Sequence, residues 1–232
     1  MPELLAVITA RGGSRALPRK NVALLCGKPL IAWTIDAALQ SRTVTRTVVT
    51  TDDDEIAMMA QRYGAEVPFK RPADLAGDTS PGIAVVRHAV QWFDEREHYR
   101  PDFVIHLQPT SPLRTAEDID AAFGLLTERG ADAVVSVTPA HHHPYWTRTV
   151  DEDGWLHDFL DQSTPILVRQ HLPPVYAVNG AIYLASRDVV LTDGWFTSRT
   201  AAYVMPSDRS VDIDTAMDFA MAQLLLDVTK VK

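Results

Sequence analysis

The sequence predicts an α/β fold, a doubly wound and mostly parallel sheet with helices covering both faces. Three observations predict it. Short apolar, β-branched runs alternate with segments of helical period, a rhythm that implies right-handed crossovers between parallel strands. The first run, Leu4–Ile8, is apolar at every position, as strands buried on both faces tend to be. That run empties directly into a glycine-rich loop, and ligands in such sheets sit at the carboxyl ends of the strands.

The elements follow in order. After the first strand and its loop, Pro29 suits the first turn of a helix whose inner face is Leu30, Ile31, Trp33, Thr34, Ala37 and Ala38. Arg46–Thr51 is a β-branched strand ending in the acidic turn Asp52-Asp53-Asp54. A helix around Glu55–Tyr63 then closes on Gly64, with acids at its favourable end. Ile83, Val86, Val90 and Phe93 mark another helix, and Phe103–Leu107 another strand. The strand stops at "QPTSPLR", residues 108–114, because proline cannot continue the ladder. Ala116–Arg129 reads as helix and Ala133–Val137 as strand.

From Pro139 to Thr200 the rhythm breaks into short strand-like pieces and prolines, with Trp146, Trp155 and Trp195 among them. Two readings fit: an excursion that packs against a second copy of the chain, or a flap over its own core. Tyr203-Val204 then returns to the sheet, and "SVDIDTAMDFAMAQLLL" ends the fold. Its stripe of Met217, Ala220, Met221, Leu224 and Leu225 reads as core. The expected organisation is a core over 1–138 and 201–232 with a small subdomain over 139–200.

Composition narrows the function. The 232 residues can bury a sizeable core, and 46% hydrophobic with 22% charged residues is ordinary globular usage. A formal net charge of −8 argues against a general nucleic-acid binder. Cys26 is the only cysteine, so no intrachain disulfide forms and a reducing compartment is suitable. No run approaches a membrane span, and Leu4–Ile8 is too short for a secretory signal. A cytoplasmic protein with no nucleic-acid or membrane partner is the expectation.

Against this acidic background, "ITARGGSRALPRKN", residues 8–21, gathers Arg11, Arg15, Arg19 and Lys20. Gly12 and Gly13 let backbone N–H groups approach a ligand closely, while the cations supply charge for an anion. The loop has neither a Walker A ending nor the G-x-G-x-x-G spacing, and a plain surface turn competes with a phosphate cradle. Asp212 and Asp214 shift the balance. They alternate in an extended segment, so both carboxylates point to one side. Two carboxylates together call for a cation, most simply Mg²⁺ shared with substrate phosphates. Solvated acids, with Asp214 capping the last helix, are the competing reading. His141-His142-His143 is a polar loop rather than a zinc site, since adjacent histidines do not converge easily on one ion. Asn179-Gly180 reads as a turn entering a strand.

The order of "ITARGGSRALPRKN", "GKPLIAWTI", "RPADLAGDT", "LQPTSPLR", "HHP", "VNGAIY" and "VDIDT" resembles the acylneuraminate cytidylyltransferases, the CMP-sialic acid synthetase family. The resemblance runs from Val7 to about Leu225. It implies a Rossmann-like nucleotidyltransferase core, a homodimer formed through the 139–200 subdomain, and CTP, Mg²⁺ (with Mn²⁺ as a substitute) and an acidic sugar acceptor as partners. Arg11, Gly12, Ser14 and Lys20 then correspond to the phosphate loop, and Asn21 with Arg71 to the cytosine contacts. Gln108 corresponds to a sugar-contacting glutamine. Arg169, Asn179, Tyr183, Trp195 and Phe196 correspond to the acceptor pocket, and Asp212 and Asp214 to the metal ligands. Arg11, Lys20, Gln108 and Asp212 would carry catalysis. Four places depart from the family pattern: Arg15-Ala16, Gly82, Trp146 and Ala177. The last two remove acceptor-side cations, which favours a sugar with a deoxy, methyl or acyl group. An anionic acceptor such as a phosphonate, or a nucleotide-binding subunit without turnover, are the alternatives.

Overall fold

A computed structural model describes residues 2–13, 17–160 and 168–229, with the side chain of Arg169 left aside. Among the described residues ten strands form: β1 (Leu4–Thr9), β2 (Leu24–Leu25), β3 (Lys28–Pro29), β4 (Arg46–Thr50), β5 (Phe103–Leu107), β6 (Ala133–Pro139), β7 (Arg148–Val150), β8 (Leu156–Asp158), β9 (Tyr176–Ser186) and β10 (Thr200–Val204). The α-helices are α1 (Leu30–Gln40), α2 (Asp54–Arg62), α3 (Gly82–Glu97), α4 (Ala116–Arg129), α5 (Arg187–Thr192) and α6 (Ala216–Thr229).

Six strands make one sheet in the order β10-β6-β9-β5-β1-β4. β1 pairs in parallel with both β4 and β5, and β10 in parallel with β6. β9 runs antiparallel to both of its neighbours, β5 and β6. The alternation of β1 decides the layers. Leu4, Ala6 and Ile8 face a core that includes Ile31, Ile35, Ile119 and Phe123 from α1 and α4, while Leu5 and Val7 face Val86, Val90 and Phe93 of α3. Both faces of the strand are buried, which is why it carries no polar residue before Thr9.

Local chemistry sets the ends. Asp53 caps α2, its carboxylate accepting from the Ile56 amide at 2.9 Å. Thr115 and Asp118 form a capping box on α4, and Gly130 ends that helix at φ 55.

Two sequence expectations change here. Tyr176–Ser186 and Arg187–Thr192 belong to the core, β9 lying in mid-sheet, so the segment outside the six strands is narrower than 139–200. Alternating periodicity marks a strand but carries no information about its neighbours, so the sequence does not place β9 in mid-sheet. The α6 stripe is corrected as well. Met217 is 74% exposed, and Ala220, Met221 and Leu224 also face solvent. Only a stripe through Ala222 and Leu226, with Phe219 and Leu225 alongside, packs against Leu25, Leu30, Leu113 and Ile213. A helix lying on the surface of one small cluster buries one face only. Among the described residues, no helix is long and apolar enough to cross a membrane.

Candidate active site

The chain leaves β1 toward β4 on one side and later returns to β5 on the other, so β1 and β5 mark a topological switch point. The loops after these two strands carry Arg11 and Gln108, which is how residues far apart in sequence meet. The segment Val211–Thr215 crosses the same edge, held by the Ile213 amide donating to the Thr110 carbonyl at 2.8 Å. Ile213 is fully buried, and its neighbours Asp212 and Asp214 both face a cavity. The expected convergence of the two carboxylates is present. Asp214 is not the cap of α6, because the Asp218 carboxylate accepts from the Thr215 hydroxyl and amide, and Thr215 in turn accepts from the Asp218 amide.

This cavity, about 340 Å³, is lined by Thr9, Arg11, Gly13, Lys20, Asn21, Gln108, Thr110, Asp212 and Asp214, with Pro109. Lys20 spans its floor, donating to the Ile213 carbonyl at 2.6 Å and to Asp214 at 3.1 Å. Arg11 pairs with Asp78 at the rim. Asn21 is buried and donates to the Arg11 carbonyl at 3.0 Å, so it shapes the loop from beneath. Asp212 keeps a solvent-facing edge, yet protein atoms crowd its carboxyl. Burial pushes its pKa up, as do the charges of Asp214 and Asp218, against the opposing pull of the Thr110 hydroxyl and Lys20. Such a carboxylate gains from a cation.

A second cavity, about 550 Å³, adjoins the first through Gln108. Its walls are Tyr183, Trp195, Phe196, Ile83 and His106, with Gly82, Arg87 and Asp193. The His106 ring lies stacked against both Tyr183 and Trp195, at centroid distances of 5.7 and 6.0 Å. Burial, reinforced by the charges of Arg114 and Arg71, pulls the His106 pKa down to about 3, so this wall is uncharged. A Cβ on Gly82 would stand 3.3 Å from the His106 ring, and glycine there keeps the mouth of the cavity open.

Gly180 sits where the cavities meet. Its φ of +75 suits glycine, and a Cβ would fall 2.8 Å from Gln108 Oε1 and 3.6 Å from Asp212 Oδ2. The missing side chain lets the glutamine and the aspartate crowd one point.

Several expected residues lie elsewhere. Arg19 turns away from the cavity to pair with Asp53 at 2.5 Å and with Glu55, so not all four loop cations face an anion. The acidic turn after β4 lies close enough to claim it, a proximity invisible in sequence. Gly12 donates its amide to Asp52 at 3.0 Å, and a Cβ there would fall 2.8 Å from Asp53, so its need for glycine comes from that turn. Arg71 is buried against Thr50, its pKa lowered to about 10 by burial, and it lines neither cavity. Asn179 is also corrected. Its side chain accepts from Ser136 at 2.6 Å and donates to Ser210 at 2.9 Å, a structural network that leaves it outside both cavities. Ser14 and Arg15 lie outside the described residues, as does the side chain of Arg169.

Sequence reasoning missed Thr9, Thr110, Arg87 and His106. Arg87 donates to the carbonyls of Val190 at 2.7 Å and Thr192 at 2.9 Å while facing the aromatic cavity. Helical spacing carries no sign of that. His106 interrupts an otherwise apolar strand, which was the one available signal.

Comparison with known proteins agrees with this geometry. A family model described as cytidylyltransferase matches residues 5–222. The chain is 40% identical over 230 residues to a CMP-N,N'-diacetyllegionaminic acid synthase of Legionella pneumophila, covering 98% of this chain and 97% of that protein. It is 36% identical over 222 residues to an N-acylneuraminate cytidylyltransferase of Escherichia coli, covering 95% of this chain and 51% of that longer protein. In fold it is similar to a CMP:2-keto-3-deoxy-manno-octonic acid synthetase solved with CTP, at a TM-score of 0.72 and 17% identity, covering 98% and 99% of the two chains.

Proposed function

The chain belongs to the cytidylyltransferase family, and on that premise we propose that it transfers CMP from CTP to the anomeric hydroxyl of an acidic nonulosonate. The observation that carries this reading is the pair of cavities joined at Gln108. One is polar and holds cations beside carboxylates. The other is walled by neutral rings. A reaction joining a triphosphate to a partly apolar sugar needs both, with the reacting atoms at the junction.

In this reading Arg11 and Lys20 take the triphosphate oxygens, helped by the Gly12–Ser14 loop, while Asn21 serves the cytosine side and Arg71 acts only from behind the cavity, through Thr50. The acceptor's anomeric oxygen attacks the α-phosphorus in line, the bond to the β-phosphate breaks, and pyrophosphate leaves. Gln108 orients the attacking hydroxyl, whose proton passes to solvent. Tyr183, Trp195 and Phe196 wall the acceptor, and Arg169 and Arg87 are the cations offered to its polar groups. The departure at Trp146 favours a deoxy, methyl or acyl substituent, and the relatives named for diacetyllegionaminic acid support the same preference.

Asp212 and Asp214 fit a divalent ion that prefers oxygen, Mg²⁺ or Mn²⁺. Both line one cavity, and burial together with the charges of Asp214 and Asp218 holds the Asp212 carboxyl above the usual aspartate range. The described residues hold no cluster of three or more potential metal-ligating His, Cys, Asp or Glu side chains, so the remaining ligands would be substrate oxygens and water. When bound, such an ion supplies charge to phosphate oxygens and lowers the pKa of a nearby hydroxyl.

Pyrophosphate release tests the reading. CTP should be used in preference to ATP, GTP and UTP, and excess EDTA should abolish turnover. A legionaminic- or pseudaminic-type acid should serve at least as well as N-acetylneuraminic acid. Activity undiminished by EDTA would remove the metal, and turnover only with a phosphonate would remove the sugar.

The active form is proposed to be a cytoplasmic homodimer, since CTP is supplied in the cytoplasm. Trp155 is 70% exposed, and Trp146, Leu156, Phe159 and Phe196 are exposed too, more apolar surface than one small excursion should leave in water. Trp195 is excluded from that surface, being 8% exposed and packed in its own core. Light scattering at micromolar concentration should give twice the 25.7 kDa chain mass. A monomer would refute the assignment.

A further inference from the structure

Arg114 closes the 108–114 loop and is only 3% exposed. Its Nη1 donates to the carbonyl of Gln108 at 3.3 Å and to that of Ala181 at 2.9 Å. One guanidinium therefore joins the end of β5 to β9 at the positions that carry Gln108 and flank Gly180. The Gln108 carbonyl is further held by the Ser111 amide at 3.3 Å and the Thr34 hydroxyl at 3.4 Å.

The arrangement is expensive. Among the described residues no carboxylate lies within ion-pair distance of Arg114, and its Nε and Nη2 have no hydrogen-bond partner. Asp118 supplies a favourable charge nearby, but its carboxylate is already taken by Arg209 at 2.8 Å and the Tyr203 hydroxyl at 2.9 Å. A buried cation without a carboxylate costs stability, and apolar side chains of similar volume could close the same loop more cheaply. What they could not do is donate to two carbonyls, one just after β5 and one in β9, from a single nitrogen held in the plane of a guanidinium.

We propose that Arg114 is a positioning residue for the transfer reaction: by clamping the Gln108 and Ala181 carbonyls it sets the approach of the Gln108 amide to Gly180, and so the place of that amide beside Asp212. The clamp adds to the demand for glycine that the φ of +75 already makes at 180. The strands are fixed from behind, so a side chain there has nowhere to go except into Gln108 Oε1, 2.8 Å away. It also explains why the loop can be free of regular structure and still present Gln108 in one place. The proposal rests on the cytidylyl transfer argued above.

The test is a double-mutant cycle on CTP-dependent pyrophosphate release by the full chain. Arg114→Lys keeps the charge but exchanges the planar, fixed Nη1 for an ammonium on a flexible stem. It should lower kcat about tenfold, with KM for CTP within about threefold of wild type, because a displacement on the order of 1 Å at the reacting group is costly. Arg114→Gln should lose more. In a Gln108→Ala background, Arg114→Lys should change kcat by less than about threefold, since coupled residues are not additive. A purely structural staple would lower the melting temperature and leave the two kcat effects multiplying in full, which overturns the proposal, as does wild-type kcat in Arg114→Lys. Gly180→Ala probes the same contact without touching the buried cation, and so decides the matter even if the Arg114 variants do not fold. Its kcat should fall at least tenfold, and the loss should vanish in the Gln108→Ala background. A kcat within twofold of wild type would overturn the clamp. Wild-type protein that releases no pyrophosphate with any acidic sugar would instead remove the cytidylyl-transfer reading itself.

Discussion

Asp212→Asn should lower kcat by about 10²-fold or more while leaving the protein folded and no less stable than wild type. The kinetic half follows from charge. Asp212 is one of two carboxylates facing the polar cavity, and loss of one preorganised electrostatic group at a developing charge typically costs about 10²–10³ in rate. The stability half follows from linkage. Burial and two neighbouring carboxylates hold the Asp212 pKa above its unfolded value. Between the ordinary aspartate pKa and that raised value, the folded state binds a proton that the unfolded state does not. Stability therefore falls as pH rises through this window, and at neutral pH the ionised carboxylate is a net cost. The amide removes the cost. Melting curves at pH 7 and steady-state kinetics at saturating Mg²⁺ check both halves together. Near-normal kcat would refute the metal role, and a large loss of melting temperature would refute the strain.

Lys20→Ala should be comparably damaging to turnover, by about 10²-fold in kcat/KM for CTP. Lys20 is the cation that links the loop after β1 to the aspartate segment, through the Ile213 carbonyl at 2.6 Å and Asp214 at 3.1 Å. Its removal would take away the proposed triphosphate contact and leave Asp214 without the Lys20 ammonium. Arg11 lines the same cavity but does not contact the aspartate segment in the way Lys20 does, so it does not replace that link. The effect should show in KM for CTP as well as in kcat, unlike that of Asp212→Asn, because the lysine meets the nucleotide before the chemistry begins. A variant with unchanged KM for CTP and normal turnover would show that Lys20 only ties two loops together.

The contrast between these residues and the misplaced ones locates the limit of the sequence. Arg11 and Gln108 stand in loops that leave β1 and β5, and a strand end in a parallel sheet is already an address, while Asp212 and Asp214 show in sequence as alternating acids in an extended segment. Arg19 stands in the same loop as Arg11, yet its partner was decided by the acid turn after β4, a contact across 34 residues. Asn179 has the chemistry of a ligand contact, but Ser136, Ala181 and Ser210 use its side chain first. The α6 stripe had core-like periodicity, yet the cluster available to it could cover only one face.

The sequence by itself determined the alternation of strands and helices, the two buried faces of β1, the acids at the start of α2 and the clustering of cations in the loop after β1. These are local properties, set by side-chain period, backbone freedom and charge within a few residues. The tertiary structure alone decided that β9 runs antiparallel through the middle of the sheet, which brings Tyr183 beside His106 and Gly180 against Gln108. It also decided that Arg114 is buried without an ion-pair partner among the described residues and that Arg87 faces the aromatic cavity. Strand neighbours and buried charges depend on contacts spanning tens to about 190 residues, as between Lys20 and Asp214. The energies that choose among such contacts come from packing the whole chain, so no short window of sequence contains them.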